Sequence, residues 1–238
     1  DSDWSSLIAG YDIGGSAAEY DGFMMKLDAC GNTLWSKSYG GGLVDSIRAV
    51  MRLADGSIGF VGQWTDPTSM TSDVLFGRVD GSTGYVISSF SLSLSIVVSA
   101  DTGLSSVVLK EDGSVLIAGA SVTTQGTVGL VCRVRVDGSV MWSKSIGQAT
   151  TGERYQFKSN CLVRLNNGDF LVVGTVSAES GVSRGLLTRL LASTGDAVVS
   201  FTIGFTSAAS IVIHSVTSCR DGGYLVLAST ASTSSEIG

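Results

Sequence analysis

The chain contains few of the residues that build helices, metal sites or catalytic centres. Of its 238 residues, one is proline, one is histidine and 15% are charged. Glu and Lys are scarce, whereas Gly, Ser, Thr and Val are abundant, and this balance favours an all-β fold. No run of 18 apolar residues occurs, so we expect no membrane-spanning helix.

The charge balance argues against nucleic acid as a partner. The formal net charge is −6, and binding to nucleic acid requires clustered Lys and Arg. The first residues also lack a basic segment followed by an apolar one, so we expect no signal peptide within this sequence.

Known catalytic and metal-binding patterns are missing. We find no GxSxG, HExxH, P-loop or dinucleotide-binding motif, so we expect no enzymatic activity. His214 lies in an apolar, strand-like stretch and is expected to be a packed or edge residue rather than a base. Four cysteines form no CxxC pair, which leaves two alternatives, disulfides in a secreted protein or buried thiols. They are Cys30, Cys132, Cys161 and Cys219.

An internal repeat is the main feature that is present. Five times an Asp-led or Asn-led turn is followed, seven residues after its first residue, by a small residue that ends an apolar run. The five segments are DWSSLIAG, DGSIGFVG, DGSVLIAG, NGDFLVVG and DGGYLVLA, starting at residues 3, 55, 112, 167 and 221. Such a period of about 54 residues indicates one repeat region spanning residues 1–238.

Each repeat contains four strand-length apolar runs separated by turn residues. In the first repeat they are Ser6–Asp12, Gly22–Asp28, Thr33–Tyr39 and Ser46–Leu53. Sixteen such runs with hairpin-length connections predict an all-β chain, a β-propeller built of four-stranded antiparallel blades. Both ends of the chain carry the same class of strand, so we expect these residues to be part of a larger propeller or array.

A second period covers two repeats. WSKS occurs at Trp35 and again, 107 residues later, at Trp142. In the other two repeats the same strand carries Phe90 and Phe201, and only these repeats have a Ser-Thr-Gly turn before it. This alternation indicates duplication of a two-blade unit and an even number of blades. All four are predicted to be structural aromatic residues of the repeat, and the two tryptophans are predicted to pack one blade against the next rather than to bind sugars.

The connections divide into two faces of the predicted propeller. One face has short acidic turns, which are explained by good turn chemistry or, alternatively, by binding of calcium or a cationic partner. Their carboxylates are Asp28, Asp55, Asp80, Asp112, Asp137 and Asp221. The other face has longer loops, where binding usually evolves. The residues there most able to contact a partner are Trp64, Glu153, Arg154 and Tyr155.

The chain resembles the tandem repeats of secreted and surface-attached β-propeller proteins. The resemblance lies in GNTLWSKSYGG at Gly31 to Gly41, in Asp45 and in DGGYLVLA, and it extends over essentially the whole chain. It implies an extracellular or cell-surface scaffold that is one part of a larger assembly. A fainter likeness to quinoprotein-type propellers rests on Thr-Gly turns and tryptophans, although here they occupy different repeats.

These observations predict a non-catalytic extracellular structural or protein-interaction module without a cofactor. Its expected partners are other proteins or additional blades of the same protein. Two alternatives stay open: a carbohydrate-binding propeller that binds glycans, and a fragment of a propeller enzyme such as a quinoprotein or hydrolase.

Overall fold

All the regular structure described is β-strand, and every strand pairing described is antiparallel. The computed structural model describes residues 5–13, 20–40, 45–65, 72–92, 105–108, 112–123, 126–147, 152–158, 160–204 and 210–231. Within these ranges no helix is long and apolar enough to cross a membrane. The all-β class predicted from the composition is confirmed.

The first two sheets follow each other along the chain. The first sheet has the order β1-β2-β3, and the second has the order β4-β5-β6-β7. The strands of the first sheet are β1 (Ser6–Ile13), β2 (Tyr20–Leu27) and β3 (Thr33–Tyr39). Those of the second are β4 (Ser46–Arg52), β5 (Ile58–Thr65), β6 (Ser72–Val79) and β7 (Val86–Leu92).

Three more sheets complete the described fold. In the third sheet, of order β11-β10-β9-β8, the strands are β8 (Ser105–Val108), β9 (Val115–Thr123), β10 (Gly126–Val134) and β11 (Val140–Ile146). In the fourth, β12 (Arg154–Gln156) and β13 (Leu162–Arg164) both pair with β14 (Phe170–Ser177), which is followed by β15 (Ser183–Leu190) and β16 (Ala197–Ile203). The fifth contains β17 (Ser210–Ser218) and β18 (Tyr224–Ala231).

The chain forms two compact units, each with its own core. The first comprises residues 1–98, 108–115 and 134–140, and the second comprises residues 99–107, 116–133 and 141–238. In the first unit the largest buried side chains include Met24, Phe60 and Phe76. In the second they include Phe157 and Phe170. Burial of such side chains is the main term that stabilises sheets packed face to face.

The Asp-Gly turns connect strands within a sheet. At Asp55-Gly56 the Leu53 NH donates to the Ser57 carbonyl, and the Gly56 NH donates to the Leu53 carbonyl, which closes a hairpin between β4 and β5. The strand grouping expected from the sequence is therefore shifted by one: the run that ends each repeat is the first strand of the next sheet. The prediction that the short acidic turns share one face is unaffected by this shift. The turns between β2 and β3 and those between β4 and β5 still lie at the same end of their sheets.

The first strand is irregular in the second, fourth and fifth sheets, whereas β1 pairs with β2 in a continuous register. Arg48 is an extra residue between the paired residues Ile47 and Ala49 of β4, and His214 is the extra residue at the same place in β17. In the fourth sheet the irregularity is larger and separates β12 from β13. Such bulges raise local twist and change the direction of the side chains that follow.

Candidate functional site

Neighbouring sheets in the first unit are joined by an indole packed on a turn. We call the packing between the first and second sheets the first seam. Trp35 of β3 is 7% exposed, and its Nε1 donates to the Gly81 carbonyl at 3.4 Å. Gly84, in the same turn, has φ +73°, and a Cβ there would lie 2.8 Å from the indole. A glycine is therefore needed at this position, both for its backbone conformation and for its close approach to the ring.

The second unit repeats this arrangement between the third and fourth sheets, which we call the second seam. Trp142 Nε1 donates to the Ala192 carbonyl at 3.4 Å, and the ring covers Gly195, whose φ is +74°. Lys144, two residues after the tryptophan, forms an ion pair with Asp196 at 2.6 Å. The Ser-Thr-Gly turns and the tryptophans that the sequence places in different repeats thus contact each other across the seams.

The phenylalanines lie two residues further along their strands than the tryptophans do. Strand pairing places Phe90 and Phe201 at the level of Lys37, and Trp35 at the level of Ser88. Phe90 packs on Gly138, a turn residue of the third sheet with φ +83°. Phe201 is 49% exposed. The aromatic pattern therefore has two kinds of contact, an indole on a longer turn and a phenyl ring on a shorter one.

The acidic turn residues hold their own turns together. Asp80 accepts hydrogen bonds from the side chains and main-chain NH groups of Ser82 and Thr83, and these bonds lower its pKa from 3.8 to about 2. Hydrogen bonds from the following turn residues likewise lower the pKa values of Asp28, Asp55 and Asp137. No three His, Cys, Asp or Glu side chains in the described ranges are grouped closely enough to hold a metal ion. Calcium binding stays a prediction.

A cavity of about 670 Å³ opens at the short-turn end of the first seam. Leu7, Val50 and Ile58 are among the apolar residues that line it, and Asp55 and Asp80 lie at its edge. Both carboxylates accept hydrogen bonds from their own turns, and Asp55 also pairs with Arg78. These two carboxylates thus serve the turns.

A second cavity, of about 500 Å³, lies at the long-loop end of the first seam, and we call it the loop-side cavity. Tyr39, Phe60 and Trp64 line it, together with Leu75. The Tyr39 and Phe60 ring centroids are 5.8 Å apart. Tyr39 donates its hydroxyl proton to the Gly84 carbonyl at 2.7 Å, and burial raises its pKa to about 12. Tyr39, Phe60 and Trp64 therefore form an aromatic side of the loop-side cavity, which we call the aromatic wall.

Two carboxylates meet beside this wall. Asp45, 3% exposed, lines the loop-side cavity directly in front of β4. A Cβ placed on Gly40 would contact the carboxylates of both Asp21 and Asp45, so both groups lie against the same glycine. Arg48, in the neighbouring strand, donates to Ser46 Oγ at 3.0 Å. Two carboxylates thus lie together near the loop-side cavity, and Asp45, the one that lines it, is buried and has interactions of its own.

The residue of the second seam that is equivalent to Asp21 follows from the close contacts of two glycines with the neighbouring sheet. Gly22 of β2 lies against Ile47 of the next sheet, and Gly129 of β10 lies against Phe157 in the same way. Asp21 and Val128, which precede the two glycines, are therefore equivalent.

The equivalent place in the second seam is filled by a tyrosine ring. Tyr155 stands two residues before Phe157, as Asp45 stands two before Ile47, and it is 7% exposed. Its ring lies over Gly147, the counterpart of Gly40. Val128 and Tyr155 thus occupy the positions of Asp21 and Asp45, and a tyrosine ring takes the space that is open in the first seam.

The residues predicted to contact a partner fall into two groups. Trp64, half-buried, lines the loop-side cavity. Glu153, Arg154 and Tyr155 lie together at the start of β12, where Arg154 is exposed and the Tyr155 hydroxyl donates to Glu153 at 3.4 Å. Much of the predicted loop face, including residues 14–19, 66–71, 93–104 and 148–151, lies outside the described residues. Partner contact by these four residues stays a prediction.

Sequence reasoning did not find Asp21, Tyr39 and Phe60. Each of them belongs to a strand, and each looks like an ordinary member of its repeat. The signal that could have found them is the comparison of repeats at equivalent positions, where Asp21 replaces Val128.

The histidine and the cysteines are not grouped into a site within the described residues. His214 is exposed at its bulge, with Nε2 2.8 Å from Ser229 Oγ. Cys132 and Cys161 are buried, and burial raises the pKa of Cys132 to about 12, whereas Cys30 and Cys219 are exposed. The four cysteines are present as thiols.

Comparison with solved structures shows the fold class. The chain is similar to the crystal structure of quinohemoprotein alcohol dehydrogenase from Comamonas testosteroni, a β-propeller, with a TM-score of 0.52. The chain has a β-propeller fold. Sequence identity is 12%, and the match covers 95% of this chain and 41% of that chain. The chain thus spans less than half the length of its structural neighbour. The sequence matches no protein-family model and no curated protein.

Proposed function

We propose that the chain is a non-catalytic structural and protein-interaction module, a segment of a larger propeller assembly at the cell surface or outside the cell. The observation that carries this proposal is the exposure of apolar side chains that are buried in inner sheets. Ile8 of β1 is 47% exposed, whereas Phe60, at the equivalent place in β5, is 2% exposed. Leu227 of β18 is 59% exposed, and its counterpart Val61 is fully buried.

The expected occupant of these surfaces is a further sheet of the same kind. β16 points Val199, Phe201 and Ile203 to the side on which a following sheet packs, and they are 46%, 49% and 40% exposed. On the equivalent strand β7, Phe90 packs on the Gly138 turn. That turn joins the last two strands of the third sheet, and the fifth sheet has no such strands within the described residues. A hairpin with a glycine turn would complete the fifth sheet and cover Phe201.

A pair of variants in β16 tests this docking surface. Phe201→Asp and Val198→Asp place the same charge on opposite faces of one strand, and both residues are 49% exposed. In the intact native protein we expect Phe201→Asp to reduce assembly size or the melting temperature, because it places a charge in a buried contact. Val198→Asp should leave both unchanged. Light scattering and thermal unfolding measure the two outcomes, and equal behaviour of the two variants would argue against the proposal.

The extracellular location is supported by the sequence resemblance. Proteolysis of intact source cells, compared with lysed cells, tests this location. A surface protein is cleaved in both samples, whereas a protein inside the cell is cleaved only after lysis.

A carbohydrate-binding function is the second candidate, and the position of Trp64 in an open cavity favours it. Aromatic rings supply the flat apolar surface on which a sugar ring can stack. A glycan array probed with the native protein and with Trp64→Leu tests it. Binding that is unaffected by the substitution would remove Trp64 from this role.

A segment of a propeller enzyme is the third candidate, supported by the fold likeness to a quinohemoprotein. Two of the described tryptophans do not fit a quinone site: Trp35 and Trp142 are packed on glycine turns, so their rings are not available to stack on a planar cofactor. The ultraviolet and visible spectrum of the intact native protein tests for such a group.

A further inference from the structure

We propose that the first sheet binds a further sheet whose last strand places a phenylalanine ring on Gly31. This glycine lies in the turn between β2 and β3, residues 28–32, which we call the Gly31 turn. The partner is thus a sheet of the β7 and β16 type rather than of the β3 and β11 type, whose last strand carries an indole. The inference rests on the proposed function, since it takes the chain to be a segment of a larger propeller assembly.

The turn between the last two strands is covered by an aromatic ring in the second, third and fourth sheets. In each case the ring belongs to the last strand of the preceding sheet, and it packs on a glycine of the turn. The three pairs are Trp35 on Gly84, Phe90 on Gly138 and Trp142 on Gly195. Glycine allows this approach because it leaves no Cβ between the ring and the backbone. A ring on this turn is therefore a regular contact between neighbouring sheets.

The equivalent turn of the first sheet is uncovered. Gly31 has φ +86°, close to the +83° of Gly138. A Cβ on Gly31 would meet no atom within 4 Å in the part of the chain that the structure describes. The Gly31 turn therefore has the backbone of a covered turn without the ring.

The outer face of the first sheet is also apolar and exposed. Leu7 and Ala9 pack on the core between the first and second sheets, so Ile8, which lies between them, points to the opposite face. Ile8 is 47% exposed, whereas its equivalents in the next three sheets are at most 2% exposed. Those equivalents are Phe60, Ile117 and Val172. A sheet on this face would remove apolar surface from water.

The hydrogen bonds of the Gly31 turn indicate a phenyl ring rather than an indole. The Asp28 NH donates to the Asn32 carbonyl, and the Gly31 NH donates to the Asp28 carbonyl. The turn that holds Phe90 has the same two bonds at the equivalent residues around Gly138. The turns that hold the tryptophans are one residue longer, since their first NH donates to a carbonyl five residues ahead instead of four. The first sheet thus presents the shorter turn, on which this chain places a phenyl ring.

Alanine substitutions in two matched turns of the intact native protein test the contact. Gly181, between β14 and β15, has φ +83°, the same turn hydrogen bonds and no atom within 4 Å of an added Cβ. Both substitutions therefore add similar backbone strain. We expect Gly31→Ala to lower the melting temperature by about 2 °C or more beyond Gly181→Ala, because the methyl group presses on the partner's ring. Equal shifts in the intact protein would overturn the inference.

Photo-crosslinking identifies the partner's side chain without relying on stability. Cys30 is exposed beside Gly31, and p-benzoylphenylalanine in its place should form an adduct with a strand that carries phenylalanine. Mass spectrometry of the intact native protein measures the adduct. Ser180, exposed beside Gly181, is the control position and should give no such adduct. An adduct with a tryptophan-bearing strand, or none, would overturn the inference. An adduct with Phe201 of a second copy would support it and identify the partner as another copy of this chain.

Failure of the assembly proposal can be told apart from failure of this inference. Equal behaviour of Phe201→Asp and Val198→Asp counts against the assembly itself. If Phe201→Asp alone destabilises the intact protein while Gly31→Ala and Gly181→Ala give equal shifts, the assembly proposal stands and the ring on Gly31 is wrong.

Discussion

The Asp80 carboxylate shows what the acidic turn residues do. It accepts hydrogen bonds from the main-chain NH and hydroxyl groups of Ser82 and Thr83, at distances of 2.6 to 3.0 Å. Such bonds favour the ionised form. The same residue type has another role at Asp169, where bonds from Arg189 are the main cause of a lowered pKa. Several of the acidic residues that contribute to the net negative charge therefore stabilise turns.

Folding should depend on pH through Asp80. Its pKa in the folded chain is about 2, below the ordinary value of 3.8, so its contribution is present above the ordinary pKa and is lost as the pH falls through about 2. Replacing the donors, as in Ser82→Ala with Thr83→Ala, should move the Asp80 pKa back towards 3.8 in an NMR titration. Ser139→Ala, which removes a donor to Asp137 instead, serves as the control and should leave Asp80 unchanged. An unchanged Asp80 pKa in the double variant would contradict this account.

Each seam is formed by a strand of one sheet and a turn of the next. Two glycines allow the contributions of backbone conformation and of packing to the stability of a seam to be measured separately. Gly84 and Gly113 have similar φ values, +73° and +70°. A Cβ at Gly84 would press on Trp35, whereas a Cβ at Gly113 would meet nothing within 4 Å. The pair is thus matched in backbone strain and differs in its contact with the neighbouring sheet.

Alanine at the two positions should give different losses of stability. Gly113→Ala should cost about 1 to 2 kcal/mol, because a residue with a Cβ adopts this backbone region unfavourably. Gly84→Ala should cost about 1 to 3 kcal/mol more, because the indole must move. Urea unfolding of the two variants measures the difference. Equal losses would show that the indole adjusts without cost.

Strands and turns were predictable from the sequence because their signals are local. Asp-Gly turns and alternating apolar residues mark the hairpins wherever they occur. The assignment of strands to sheets was not predictable in the same way, since an Asp-Gly turn has the same chemistry inside a sheet or between two sheets. Only the pairing of β4 with β5 decides it.

The candidate site was predictable only in part for a similar reason. Trp64 stands out because a large aromatic residue beside a polar loop is unusual. Tyr39 and Phe60 come from strands of different sheets, and their meeting depends on how the sheets pack. Tyr155 looks like Trp64 in sequence, yet it is buried, because Gly147 leaves room for its ring.

At the scale of the whole molecule, the strand edges show where further structure would attach. Within the described residues β18 pairs only with β17, so its other edge has NH and carbonyl groups without a strand partner. Edges of this kind readily pair with another strand. The exposed Leu225 and Leu227 lie on the same strand.

Hydrogen exchange should report this edge directly. In the isolated 238-residue chain we expect rapid exchange of the β18 amides that point away from β17, because they lack a partner. In the intact native protein the same amides should be protected by at least tenfold, if a further strand pairs there. The inner strand β5 is the control and should exchange slowly in both samples. Rapid exchange of β18 in the native protein would show that no strand covers it.

The two kinds of seam also restrict how such a gene can lengthen or shorten. Trp35 fits the longer turn that contains Gly84, and Phe90 fits the shorter turn that contains Gly138. Loss of one repeat by unequal recombination would bring an indole against a short turn or a phenyl ring against a long one. Loss or gain of two repeats keeps every junction matched. Related genes should therefore differ in length by multiples of two repeats.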